Sequence, residues 1–374
     1  MKNYYKTLNN GLHHTLDKLK SRVLPRLQRF RPRYHKPSEW EEVSGSEADV
    51  VTPHSEVSFE ESLLLAANRQ SNPNYTPLGK THELNSDVGR YFLSQARDYV
   101  VYTPSGYRLD EALPLVMVLH GCKQTHEDIR VISGFDEIAD RERFIVVYPF
   151  VTRYIGIRSL NCWGWWQRFH VRSGYGEVED LRRIIEQVQQ EFTIDDQRIH
   201  ITGLSSGAAM SVAALVAHGT LFASGASVEG VAYGESMRAV RINHFLSVKY
   251  HSIATTVRYM KAQLKGKGRL APLLVIQSKN DQTVELQSAL NLRDSWLAVK
   301  RVRKERPEPL AHTTRDIEWQ YRQYRRGSGV TPLETLFVEQ LQHGWIGGNP
   351  GKYSTSQGPN ISEIIWLFFK QHPR

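Results

Sequence analysis

Residues 198–218 read RIHITGLSSGAAMSVAALVAH. The first five, Arg198 to Thr202, have the β-branched, apolar character of a strand. From Ser206 to His218 the small residues Ala208, Ala209, Ala213 and Ala214 mark a helix that packs closely. Between them lies Gly203-Leu204-Ser205-Ser206-Gly207, a G-x-S-x-G motif in the strand-to-helix setting it requires. Ser205 must sit on a sharp, strained turn so that its hydroxyl projects above the sheet edge. Gly203 and Gly207 remove the side chains that would collide there. The helix that starts at Ser206 aims its N-terminal N–H groups at the same place, where a developing oxyanion would be stabilised. The competing interpretation of the same residues is a tight helix start with no chemistry.

The pattern on either side predicts the rest of the sheet. Leu113–Leu119 (LPLVMVL), Phe144–Tyr148 (FIVVY), Phe222–Val228, Leu273–Gln277 and Leu336–Val338 are continuous or short apolar runs, as expected of buried parallel strands. Arg90–Gln95 and Asp98–Thr103 are expected to form a hairpin. Helices are expected over Glu127–Arg143, Glu177–Phe192, from Val284 onward, and over Ile361–His372. Such alternation predicts an α/β domain, residues 86–374, with a mostly parallel central sheet and helices on both faces. Residues 232–268 break the alternation and are expected to be a helical insertion where a cap could sit.

A serine hydroxyl is a weak nucleophile that needs a base, and the base needs an orienting acid. In this arrangement the chain order is Ser, then Asp or Glu, then His, each near the carboxyl end of a strand. Asp281, just past Leu273–Gln277, and His343, shortly after Leu336–Val338, meet that rule. Asp294 is the rival acid but is expected in mid-helix. Among the other histidines, His200 falls in mid-strand and His218 at a helix end. His120 precedes the nucleophile and is expected to shape the loop after the third strand. The backbone N–H groups of Ser206 and Cys122 are the expected oxyanion donors, with Lys123 the alternative to Cys122.

Taken in order, several segments resemble the polyhydroxybutyrate depolymerase-like esterases of the α/β-hydrolase superfamily, which also holds feruloyl and acetylxylan esterases. They are Arg97-Asp98-Tyr99, Tyr102-Thr103-Pro104, LPLVMVLHGCKQ (113–124), Cys162-Trp163-Gly164-Trp165-Trp166, GEVEDLRRII (176–185), ITGLSSGAAM (201–210), Ser278–Val284 and HGWIGG (343–348). Gly358-Pro359-Asn360 followed by Ile365–Phe369 resembles the family's closing helix. Two turns depart from the family pattern: Ser278-Lys279-Asn280-Asp281 stands for Gly-x-Ala-Asp, and Gly344 stands where Ala is common. The resemblance implies an α/β-hydrolase fold and a serine esterase acting through Ser205, Asp281 and His343. The substrate it implies is a poly- or oligo(3-hydroxybutyrate) or short-chain acyl ester. A feruloyl- or acetylxylan-type esterase and an acyltransferase with the same triad are the alternatives. It implies no cofactor and no metal. It also implies a Cys122–Cys162 bridge, against which stands a pair of reduced thiols in a cytosolic setting. Trp163, Trp165 and Trp345 are candidates to line an acyl or polymer groove, although Trp is as often core.

Composition sets bounds on this interpretation. The chain has 374 residues, 40% hydrophobic and 23% charged, enough to bury a substantial core. Two cysteines exclude a four-cysteine zinc site. The net charge of +9 is unevenly spread. Residues 1–36 hold ten Lys and Arg against Asp17, and residues 37–72 hold eight acids against Arg69. Residues 1–85 are therefore expected to be a leader and linker. Leu8, Leu12, Leu16, Leu19, Val23, Leu27 and Phe30 form a helical stripe with a basic opposite face, which Pro25 is expected to end or kink. That stripe suits contact with a membrane or granule surface through residues 1–36, or docking on the chain's own domain. A non-catalytic surface binder whose leader does the work is the remaining alternative class. No nucleic-acid motif accompanies the basic charge. Gly174-Tyr175-Gly176 lacks the third glycine of a dinucleotide fingerprint. No signal-peptide h-region is visible, so a cytoplasmic location is expected, although many relatives are secreted.

Overall fold

The computed structural model describes residues 57–151, 160–237, 248–264, 269–302, 307–327 and 330–374. The expected leader helix and its membrane or granule contact lie outside the described residues. So do residues 238–247 and 265–268 of the expected insertion.

Fourteen strands and eight helices are described. The strands are β1 (Lys80–Ser86), β2 (Arg97–Thr103), β3 (Leu113–Leu119), β4 (Ile145–Pro149), β5 (Ile194–Gly203), β6 (Ser224–Val228), β7 (Ser236–Met237), β8 (Val248–Lys249), β9 (Leu273–Ser278), β10 (Leu310–Thr314), β11 (Ile317–Arg326), β12 (Val330–Val338), β13 (Trp345–Ile346) and β14 (Ser354–Thr355). The helices are α1 (Phe59–Asn68), α2 (His126–Ser133), α3 (Phe135–Glu142), α4 (Gly176–Glu191), α5 (Ser206–Ala217), α6 (Ile253–Leu264), α7 (Leu286–Lys300) and α8 (Ile361–Gln371).

Ten strands form one sheet in the order β1-β2-β4-β3-β5-β6-β9-β12-β11-β10. From β4 to β12 every neighbouring pair is parallel. Antiparallel pairs close both edges. Alternate residues of β3 face opposite ways. Leu115, Met117 and Leu119 join a core with α4, α5, α6 and α7. Val116 and Val118 join a second core with α1, α2, α3 and α8. Every residue of β3, β4 and β9 is buried, which is why these strands carry no polar alternation. α5 is buried on all sides, as its small apolar composition permits. No described helix is long and apolar enough to cross a membrane.

Several details differ from the sequence expectations. The compact unit starts at Glu56 and takes in residues assigned above to the leader. α1 is capped by the Ser58 hydroxyl and buries Leu63 and Ala67 in the second core, against α8. β2 pairs with β1, a polar edge strand, while residues 90–95 form no strand. The expected helix 127–143 breaks at Gly134, whose φ of +62° ends α2 and starts α3. The described part of 232–268 is a short β7–β8 pair followed by α6, which buries Met260 in the first core. β10 and β11 extend the sheet past β12 and have no counterpart in the expected set.

Candidate active site

β5 runs to Gly203, and the chain then turns through Leu204 and Ser205 into α5. Ser205 adopts φ +56° and ψ −116°, a backbone region that side chains rarely occupy. Surrounding strands hold the turn. Leu204 N–H donates to Leu119 O at 3.1 Å, and Ser205 N–H donates to Val228 O at 2.9 Å. The two glycines allow this approach. A Cβ on Gly203 would lie 2.7 Å from Leu119 O, and one on Gly207 2.4 Å from Leu119 O and 2.5 Å from His120 O. Ser205 is largely buried, with 9% of its surface exposed.

The loop after β3 lies against this turn. A Cβ on Gly121 would be 3.4 Å from Ser205 Cβ. Gly121 N–H donates to Gln124 Oε1 at 2.7 Å, and Gln124 Nε2 donates onward to Lys352 O at 2.7 Å. These bonds fix the peptide planes beside Ser205. Within the two turns, Gly207 N–H donates to Leu204 O at 2.8 Å and Gln124 N–H to Gly121 O at 3.3 Å. His120 is fully buried. Its Nε2 accepts from Val151 N–H at 3.2 Å, which puts the ring proton on Nδ1 for Gly121 O at 2.8 Å. Burial drives its pKa down to about 4, only partly opposed by the Gly121 carbonyl. His120 is thus a neutral strut of this loop.

Cys122 and Cys162 are joined by a disulfide. The bridge ties the loop to residues 160–163, as do Lys123 N–H to Leu160 O at 2.5 Å and Asn161 Nδ2 to Gln124 O at 3.2 Å. Trp163 and Trp345 do not line a groove. Both have zero exposure, with Trp163 Nε1 donating to His120 O at 3.1 Å and Trp345 Nε1 to Ser362 Oγ at 2.9 Å. An indole whose N–H is satisfied inside the core is bracing, and the expectation is corrected accordingly. Trp165 does reach a cavity, one of about 540 Å3, together with Trp166, Tyr175, Tyr233, Glu235 and Tyr259. Trp165 shares a small hydrophobic cluster with Ala209, one turn into α5, and Val284, three residues past Asp281.

Asp281 follows β9 and is 4% exposed. Its Oδ1 accepts from Thr283 N–H at 2.7 Å and Val284 N–H at 2.8 Å. Its Oδ2 lies 2.7 Å from His343 Nδ1 and accepts from Gln277 Nε2 at 3.2 Å. Asp294 instead pairs with Arg293 on α7. A third group, unforeseen from the sequence, meets the same imidazole. Glu229 directly follows β6, is completely buried, and places Oε2 2.9 Å from His343 Nδ1. Gly344 N–H donates to that oxygen at 2.6 Å. The rule that selected Asp281, an acid just past a strand that follows Ser205, also selects Glu229.

Burial pushes the Glu229 carboxyl up to about 7, against the pull of the His343 hydrogen bond. For His343, burial works against the charged form. The hydrogen bonds to Asp281 and Glu229 outweigh it and lift the imidazole up to about 10. Glu229 and His343 titrate as a coupled pair. A proton on Glu229 removes one negative charge facing Nδ1 and loosens the imidazole's hold on its own. Ligand atoms of Glu229, Asp281 and His343 lie within 4.8 Å of one another. Both carboxylates converge on one imidazole nitrogen, Asp281 through a hydrogen bond at 2.7 Å and Glu229 at 2.9 Å, an arrangement suited to sharing a proton.

Comparison with known proteins identifies the family and the fold. A family model described as "Esterase PHB depolymerase" matches residues 97–299. Poly(3-hydroxyalkanoate) depolymerase C of Paucimonas lemoignei is 31% identical over 132 residues, 35% of this chain and 31% of that protein. Acetylxylan esterase A of Emericella nidulans is 26% identical over 137 residues, 36% of this chain and 43% of that protein. The aligned stretches therefore span less than half of either curated relative. Among solved structures, an acetyl xylan esterase from Aspergillus awamori superposes with a TM-score of 0.58 at 18% identity, over 78% of this chain and 100% of that one. The fold is that of the α/β hydrolases.

Proposed function

The chain belongs to the esterase PHB depolymerase family, and from that premise we propose that it is a carboxylic ester hydrolase with Ser205 as nucleophile. His343 takes the Ser205 proton as the hydroxyl attacks the ester carbonyl. Asp281 holds the imidazole's tautomer and stabilises the imidazolium that forms. The N–H groups of Ser206 and Cys122 receive the oxyanion of the tetrahedral intermediate. The imidazolium then protonates the departing alcohol, and water attacks the acyl-enzyme by the reverse proton path. The observation that carries this proposal is a chain of contacts. Ser205 N–H is bonded to Val228 O at 2.9 Å, the next residue, Glu229, touches His343 at 2.9 Å, and His343 holds Asp281 at 2.7 Å.

The substrate class we propose is a short hydroxyalkanoate or other short-chain acyl ester, in keeping with the name of the Paucimonas relative. A second reading, acetyl groups on a polysaccharide, draws support from the aromatic cavity that Trp165 lines, where Glu235 and His251 add polar groups among the rings. The test is hydrolysis of p-nitrophenyl esters of two to sixteen acyl carbons by wild type and Ser205→Ala. Loss of a serine nucleophile should lower kcat by about 10⁶-fold. Undiminished turnover in the variant, or failure of a fluorophosphonate probe to label the wild type, rejects the reading. 3-Hydroxybutyrate oligomers and acetylated xylan, assayed side by side, separate the two substrate classes.

A further inference from the structure

We propose that Glu229 is a second positioning carboxylate for His343, sharing the Nδ1 proton with Asp281, so that the histidine is oriented by two acids from two adjacent strands. The proposal rests on the reading of Ser205, His343 and Asp281 given above. Its geometry is independent of the substrate. Asp281 Oδ2 and Glu229 Oε2 approach the same nitrogen at 2.7 and 2.9 Å. Both carboxylates are buried, and each is anchored by backbone. Asp281 takes the N–H groups of Thr283 and Val284, and Glu229 takes that of Gly344, the residue after the histidine. Glu229's own N–H donates to Ile276 O at 2.9 Å, on the strand that leads to Asp281.

Two features set Glu229 apart from a structural acid. It adopts φ +53°, a left-handed backbone that is strained for a non-glycine residue. A glycine would meet the turn more cheaply, but it would supply no carboxylate. Its second oxygen, Oε1, is buried with no hydrogen-bond partner. A buried carboxylate with half its acceptors unmet is costly, and here the group that offsets the cost is the imidazole. When Ser205 gives up its proton, the positive charge that forms on His343 faces both carboxylates. Asp281 and Glu229 are the acids that meet the ring, and Tyr353 lies 6.5 Å away by ring centroid.

The experiment uses the full chain and two independent readouts. In the first, kcat/KM for p-nitrophenyl acetate is measured for Asp281→Asn, Glu229→Gln and the double variant. A sole orienting carboxylate costs about 10⁴-fold when replaced by its amide. With Glu229 in support, Asp281→Asn should lose only about 10²-fold, and the double variant about 10⁴-fold. If Asp281→Asn alone loses 10⁴-fold and Glu229→Gln adds nothing to it, the proposal is overturned. In the second readout, ring ¹⁵N shifts of His343 are titrated in the Ser205→Ala background, where no turnover is needed. Removing a carboxylate that faces the imidazole should lower its midpoint by about one pH unit or more. An unmoved midpoint in Glu229→Gln assigns the residue a structural role and overturns the proposal. Should Glu229→Gln fold poorly, Glu229→Gly keeps the backbone at ease and carries the same titration. An inactive wild type rejects the esterase reading, and the titration still decides on Glu229.

Discussion

Replacing Gly207 by alanine tests whether close backbone approach builds the site. The new Cβ would sit 2.4 Å from Leu119 O and 2.5 Å from His120 O. Carbon–oxygen contacts ordinarily settle near about 3.3–3.6 Å. Either α5 or the end of β3 must therefore move by about 1 Å. Both atoms are backbone, so no side chain can swing away to absorb the overlap. The end of β3 leads into the loop beside Ser205, and α5 begins one residue after it. A misplacement of that size at a reacting centre costs about 10²-fold in rate. Overpacking of this kind costs roughly 1–3 kcal/mol. In a unit of roughly 300 residues that lowers Tm by about 2–6 °C. Gly327→Ala is the control. Gly327 has φ +62° but nothing within 4 Å of an added Cβ, so it carries backbone strain without collision. The assay is kcat for p-nitrophenyl acetate alongside thermal melting of both variants. Wild-type kcat in Gly207→Ala, or an equal loss in Gly327→Ala, would refute the argument.

Two further outcomes follow from the structure. The Cys122–Cys162 bridge closes a loop of sequence separation 40, so chain entropy assigns it about 4 kcal/mol. Urea midpoints measured with and without reductant should differ accordingly, and coincident midpoints would remove that contribution. His200 lies in the core with its ring stacked 4.6 Å from Phe369, and burial, helped by the nearby Arg198 guanidinium, lowers its pKa to about 3. Its folded form stays neutral while the unfolded form charges near pH 6.5, so its stabilisation is complete above that pH and is lost as pH falls toward 3. The stability gap between wild type and His200→Gln should therefore shrink by about 1.4 kcal/mol per pH unit below 6.5; a gap that stays constant from pH 7 to 5 would contradict this.

The parallel centre of the sheet was legible because a strand buried on both faces has no choice but to be apolar. β3, β4 and β9 show this directly. The edges were harder for the opposite reason. β1, KTHELNS, buries only Ser86 and so carries almost no hydrophobic signal. β11 does alternate at first, with Ile317, Trp319 and Tyr321 on one face, but Tyr324 falls on the other, and Glu318, Arg322 and the arginines that follow mask the period among charges. The helix expected over 127–143 overlooked that Gly134 supplies the left-handed residue that ends one helix and starts another. The tryptophans misled because residue type alone does not say whether an indole N–H is met by a carbonyl inside, as in Trp163, or left to face a cavity's edge. Trp165 differs from Trp163 by two positions only.

Sheet order explains why Glu229 could be reached by the same reasoning as Asp281 and yet escape it. β6, β9 and β12 are consecutive neighbours in the sheet, and neighbouring strands stand about 4.8 Å apart. A histidine on the loop after β12 therefore hangs over the ends of both β9 and β6. An acid placed just past either strand comes within hydrogen-bond reach of the ring. Sequence distance hides this, because α6 and the β7–β8 pair separate Glu229 from Asp281 along the chain, while only one strand spacing separates the ends they leave. In a parallel sheet, then, the search for an orienting acid is a search over strand ends within two spacings of the histidine. Position along the chain only fixes which of them come after the nucleophile. Here two ends qualify, and both carry a carboxylate pointed at one nitrogen.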